Sequence, residues 1–127
     1  MNILRALTVI LGAAIALGAV RDPQYSEAKV VDIFGTVENI REVSSGATLP
    51  GLHLNVRKDK RTMIDVYLGP ADYVAGFSVH FQHGDVIEAV GSKVRNDGSE
   101  VLLAREVRKS DSTVYLRDDH GNPLWSK

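Results

Sequence analysis

The chain has no cysteine. That absence removes disulfides, thiolate-held zinc, iron–sulfur clusters, covalent c-type haem, a lipid-anchored leader and every thiol nucleophile. A domain exported without disulfides depends on its hydrophobic core alone. Neither sign of charge is in excess, with 15 Lys and Arg against 16 Asp and Glu, so no general positive field exists to draw nucleic acid or an acidic membrane. Aromatic residues make up 6% of the chain, which leaves few platforms on which a base could stack. The phosphate loops G-x-x-x-x-G-K-[ST] and G-x-G-x-x-G are missing, as is the G-x-S-x-G nucleophile elbow. Glu88, Glu100 and Glu106 fall in strand-like runs with nothing in the spacing to pair them for acid–base work. The expectation is a protein that is not an enzyme and that carries no cofactor and no metal; an enzyme of unrecognised class ranks third among the readings.

What is present begins with an apolar leader. Residues 1–20 hold one charge, Arg5, followed by an uncharged run that ends in Ala16-Leu17-Gly18-Ala19. This is the layout of a secretory signal peptide over residues 1–19, cut after Gly18 or Ala19. Ser26-Glu27-Ala28 offers a second small-x-small site, but its distance from the apolar run counts against it. The run is short of the ~18 to 20 apolar residues that a membrane span prefers, so no stable span is expected once the leader is gone. Its removal leaves roughly 105 residues, enough for one core and one domain. The remaining charge is 14 against 16, a net of −2, because Arg5 is the one charge lost. The expected location is periplasmic or secreted. Residues 20–29 are polar, contain Pro23 and read as a disordered lead-in; residues 30–127 form the domain.

From residue 30 the pattern is one of short β-type runs punctuated by glycine. In 30–40, Val31, Ile33, Gly35 and Val37 share one face, and a glycine in mid-strand predicts a bulge or sharp bend. Residues 52–57 alternate without a fault, with Leu52, Leu54 and Val56 inward and His53, Asn55 and Arg57 outward. A charged turn, Lys58-Asp59-Lys60-Arg61, leads into 62–68, with Ile64, Val66 and Leu68 inward. Gly69-Pro70 stops that strand, and Tyr73 and Phe77 at i,i+4 predict a short helix over 71–77 that caps the core. Gly84-Asp85 has the chemistry of a turn feeding a fourth strand over 86–94. Asn96-Asp97-Gly98 is a hairpin turn into a fifth strand over 100–107. Residues 109–127 read as an added β hairpin with Trp125 folded against the rest.

A glycine inside the first strand, a tight second hairpin, a short helix before the fourth strand, then Phe81-x-x-Gly84-Asp85-Val86 opening that strand: this sequence of features over 30–108 resembles the small OB-fold domains exported by bacteria. The resemblance implies an all-β fold, a five-stranded OB-like Greek-key barrel with one helix between strands 3 and 4 and a C-terminal β extension. It also implies that strands 2 and 3 with their flanking loops form the ligand face. It does not imply a ligand.

The candidate binding residues therefore lie on the outward face of that hairpin: His53, Asn55, Arg57, Met63 and Tyr67, with Lys60 and Arg61 at the tip. The expected partner is a protein or a cell-envelope component, held by desolvation around Met63 and Tyr67 and steered by the basic tip. A single-stranded nucleic acid or other polyanion on the same face is the alternative, although nucleic acid is not the expected partner, since Tyr67 is the one aromatic there. A plain solvated face whose charged tip protects a sheet edge competes with both. His80-x-x-His83 would point to opposite sides of a strand and lacks a third ligand of diagnostic spacing, so no metal is expected. Asp118 and Asn122 could gather around calcium, but the spaced acids of an EF-hand loop are missing, and 117–123 reads as a turn.

Overall fold

The computed structural model describes residues 22–126; the proposed leader and residues 20–21 lie outside them. Six strands form: β1 (Val30–Val43), β2 (Gly51–Asp59), β3 (Thr62–Gly69), β4 (Val86–Asn96), β5 (Ser99–Lys109) and β6 (Ser112–Tyr115). One short helix, α1 (Ala71–Ala75), falls between β3 and β4. The sheet runs β3-β2-β1-β4-β5-β6, and a parallel pairing of β3 with β5 closes the first five strands into a barrel. This is the expected all-β, five-stranded barrel with one helix between β3 and β4, and β6 is the added strand.

The closure depends on β1. Its first half pairs with β4, from Val30↔Ser92 to Thr36↔Val86, and its second half with β2, from Thr36↔Arg57 to Val43↔Gly51. Gly35 sits at the handover, where a β-carbon would lie 2.6 Å from the Arg57 carbonyl oxygen and from a Val56 methyl. A bulge between Val37 and Asn39 completes the bend. A side chain at 35 would push β2 away where the strand changes partners.

Inside the barrel, Leu54, Val56, Val66, Leu68, Leu102 and Ala104 are among the fully buried residues, each large one contributing about 1.5–3 kcal/mol by leaving water. Pro70 is the N-cap of α1, which buries Val74 against this core and sets Tyr73 edge-on to Phe77 at 5.2 Å. The run Val101-Leu102-Leu103-Ala104 has no polar position, and both of its faces are buried. Leu102 and Ala104 face the barrel interior, while Val101 and Leu103 join Leu49, Tyr67 and Val94 in a second cluster on the outer side.

That second cluster is roofed by segments without strand periodicity. The lead-in over 22–29, expected to be disordered, is instead fastened down. The Leu49 amide donates to Asp22 Oδ1 at 2.7 Å, the Ser26 amide donates to Ser92 Oγ at 2.9 Å, and a 3₁₀ turn spans Glu27–Lys29. Polarity alone had suggested disorder, but Tyr25 carries apolar surface into the roof. The C-terminal segment returns after β6: the Leu124 amide donates to the Leu116 carbonyl at 3.0 Å, and Trp125 packs against both clusters. Gly121, at φ +89°, lies so close to Tyr25 that a β-carbon would stand 2.1 Å from its ring. No helix among the described residues is long and apolar enough to cross a membrane.

Candidate functional site

The hairpin places its outward residues as the alternation required: His53 is opposite Tyr67, Asn55 opposite Asp65, and Arg57 opposite Met63. The two ends of this face have different fates. At the end nearest residue 51, loop 44–50 folds over the sheet, so that His53 is 2% and Tyr67 4% exposed. The expectation that both face solvent is therefore corrected: period-2 alternation says which side of a sheet a residue occupies, not what lies above it.

Beneath the loop, His53 Nδ1 lies 2.8 Å from Asp65 Oδ1 and Nε2 lies 2.8 Å from the Leu49 carbonyl oxygen. Both partners are acceptors, so the ring donates to both when each nitrogen carries a proton. Arg41 completes the set with a 2.7 Å bond to Asp65 Oδ2. The Tyr67 hydroxyl donates to the Pro50 carbonyl at 2.8 Å. Burial, with the charge of Asp22 behind it, pushes the Tyr67 phenol up to about 12.

The far end stays open. Arg57, Lys58, Lys60 and Arg61 are exposed, and Met63 keeps 45% of its surface. Arg57 pairs with Glu38 across to β1. Asp59 Oδ1 accepts from the Arg61 amide at 2.9 Å, which shapes the tip and holds the Asp59 carboxyl below its ordinary value. With Tyr67 covered, the hairpin face keeps its cations but presents no aromatic ring to a base.

The two histidines of 80–83 do not converge on a common point. His83 Nδ1 lies 2.6 Å from the Glu38 carbonyl oxygen, whereas His80 is exposed and its own carbonyl accepts from Lys109 Nζ at 2.7 Å. Among the described residues no three His, Asp or Glu side chains gather closely enough to hold a metal ion. Asp118 is engaged in its own turn, accepting from the His120 and Asn122 amides at 2.9 Å each and from Asn122 Nδ2 at 3.0 Å. Those Asn122 bonds, with the His120 amide, keep its carboxyl below the usual range.

Sequence reasoning missed a cleft of about 840 Å³ at the roofed end, between the lead-in, loop 44–50, the start of α1 and residues 117–126. Tyr67, Arg117 and Trp125 line it, with Asp22, Glu42 and Asp72 also on its walls. The Arg117 guanidinium carbon stands 5.1 Å from the Trp125 ring and 5.7 Å from the Tyr25 ring. Its Nη1 donates to the Gly121 carbonyl at 2.9 Å. Arg117 Nε and the Tyr25 hydroxyl are buried without a hydrogen-bond partner, and Arg117 has no carboxylate at ion-pair distance among the described residues. Burial draws the Arg117 pKa below its ordinary value against the opposing influence of Tyr67, Tyr25 and Asp22. No spacing rule joins residues 25, 117 and 125; Arg117 reads in the sequence as the start of a turn.

A cysteine-free five-stranded barrel with its outer face partly roofed, an open cleft and an exposed basic tip has the layout of a small binding module. Residues 29–114 match the MamS/MamX magnetosome protein family, and the chain belongs to that family. The matched stretch holds the barrel, loop 44–50 and the start of α1, and it ends before Arg117 and Trp125, so part of the covering of the cleft comes from residues on either side of it. A comparison with curated proteins found no match.

Proposed function

We propose that this chain is an exported, non-enzymatic, magnetosome-associated interaction module that engages an acidic protein or envelope component at the tip of the β2–β3 hairpin. The observation that carries this reading is the exposure of Lys58, Lys60 and Arg61 around Asp59, with Arg57 paired to Glu38 and Met63 uncovered beside them. Concentrated charge of one sign steers encounter with a partner of the other, and a flexible thioether adds apolar contact that adapts to its shape. Membership of a magnetosome family supports the association, and the leader-like residues 1–19 support export. The non-enzymatic reading is supported by the way His53 and Asp65 are engaged: the buried imidazole meets the Leu49 carbonyl, and the carboxylate is paired with Arg41.

The test is retention of purified protein on an isolated magnetosome fraction. The wild type is expected to bind and to be released as salt rises, while Lys60→Glu with Arg61→Glu is expected to bind weakly at every salt concentration. Equal retention of the two proteins would remove the tip from consideration.

A further inference from the structure

The cleft lies at the other end of the hairpin from the basic tip, about 26 Å along β2 at the usual rise per residue, and calls for a separate account. We propose that it is a binding site for a small molecule bearing one carboxylate and an otherwise neutral or cationic body, with Arg117 as the residue that binds the carboxylate.

Four observations lead there. Arg117 lines an open cleft with its Nε unpartnered and no carboxylate at ion-pair distance among the described residues, Asp22 acting on it only from farther off. A guanidinium has five N–H donors, and Nη1 to Gly121 is the bond it makes within the described chain. The Tyr25 and Trp125 rings, 5.7 and 5.1 Å from the guanidinium carbon, hold Arg117 in place before any ligand arrives, which lowers the ordering cost of a contact with a carboxylate. The volume of about 840 Å³ falls in the range that small-molecule sites occupy.

The remaining charges narrow the ligand. Asp22, Glu42 and Asp72 line the same cleft and would repel a multiply charged anion, while favouring a cationic group on the body of a zwitterion. A single carboxylate meets less of that repulsion than a multiply charged anion does, and a cationic group on the same molecule offsets it. Tyr67 and Trp125 supply apolar wall for the rest of the molecule.

The test is a titration of the ¹⁵N-labelled full chain with phenylalanine, benzoate and inorganic phosphate, following the Arg117 Nε–H and Trp125 indole N–H signals. Both carboxylates are expected to shift these signals saturably, with Kd at or below about 1 mM, and phosphate at the same concentration is not. Arg117→Gln is expected to weaken carboxylate binding by at least about tenfold, the loss of a charge-assisted contact. If that variant does not fold, the wild-type titration decides alone. The proposal is overturned by the lack of a saturable shift with either carboxylate up to about 10 mM. It is equally overturned if phosphate binds as well as they do, or if a folded Arg117→Gln keeps its affinity; Arg117 would then serve only to fasten the roof.

Discussion

His53 and Asp65 meet at 2.8 Å beneath a loop, and the other nitrogen of the same imidazole holds that loop by the Leu49 carbonyl. The pair thus connects the sheet to the cover laid over it. Asp65→Ala leaves a buried imidazole nitrogen unpaired and is expected to cost about 1–3 kcal/mol. Asp65→Asn keeps an acceptor and should cost less. Urea unfolding of the three proteins measures the difference, and an Asp65→Ala variant within about 0.5 kcal/mol of wild type would mean the loop does not seal this pair.

Trp125 bridges both hydrophobic clusters while keeping part of its surface in the cleft. Trp125→Ala is expected to destabilise the fold by about 2–4 kcal/mol, somewhat under the cost of truncating a fully buried aromatic. Removal of this cover should also raise the hydrogen-exchange rate of the Leu49 amide, which Asp22 now holds. A stable variant with unchanged exchange at Leu49 would show that the roof stays shut without the indole.

The acid end of the stability curve tests the turn before β4. Burial works to raise the Asp85 pKa, but the Lys109 ammonium at 2.8 Å and the Gln82 amide outweigh it and bring the carboxyl below its ordinary value. A group depressed in the folded state stabilises the fold above its unfolded pKa, and that contribution is lost as pH falls through the folded value. Asp85→Asn should therefore lower the melting temperature at pH 6, with the gap to wild type closing as pH falls below the ordinary aspartate range. Glu88, raised by its hydrogen bond to Asp32 and by burial, acts in the opposite sense and is left intact in both proteins. A gap that stays constant with pH would refute the assignment.

The barrel was legible because its strands alternate and its turns carry the residues that turns demand. Leu54 and Val56 face inward, Gly35 marks the bend, and Asn96-Asp97-Gly98 makes the β4–β5 hairpin as read. The site was not legible for a reason visible at Leu49. It sits in an aperiodic loop, a place where sequence pattern predicts exposure, yet it is 1% exposed because Tyr67, Val94, Val101 and Leu103 form an apolar patch on the outer side of the sheet. The unbroken run 101–104 was the available signal that a second surface needed covering. What covers it comes from residues 22–26, 44–50 and 117–126, which are remote in sequence and share no period, so His53 and Tyr67 were placed in solvent and Arg117 in a turn.

The lead-in strap bears on where the proposed leader could be cut. Were it cut after Ala19, Asp22, Tyr25 and the Ser26 amide would be spared, and the protein would retain the pieces that shelter Leu49 and Leu103. Scission after Ala28, the other small-x-small position, would discard all three and lay bare an oily patch on β4 and β5. Asp22, Tyr25 and Ser26 would thereby decide whether the barrel remains dispersed or sticks to its neighbours.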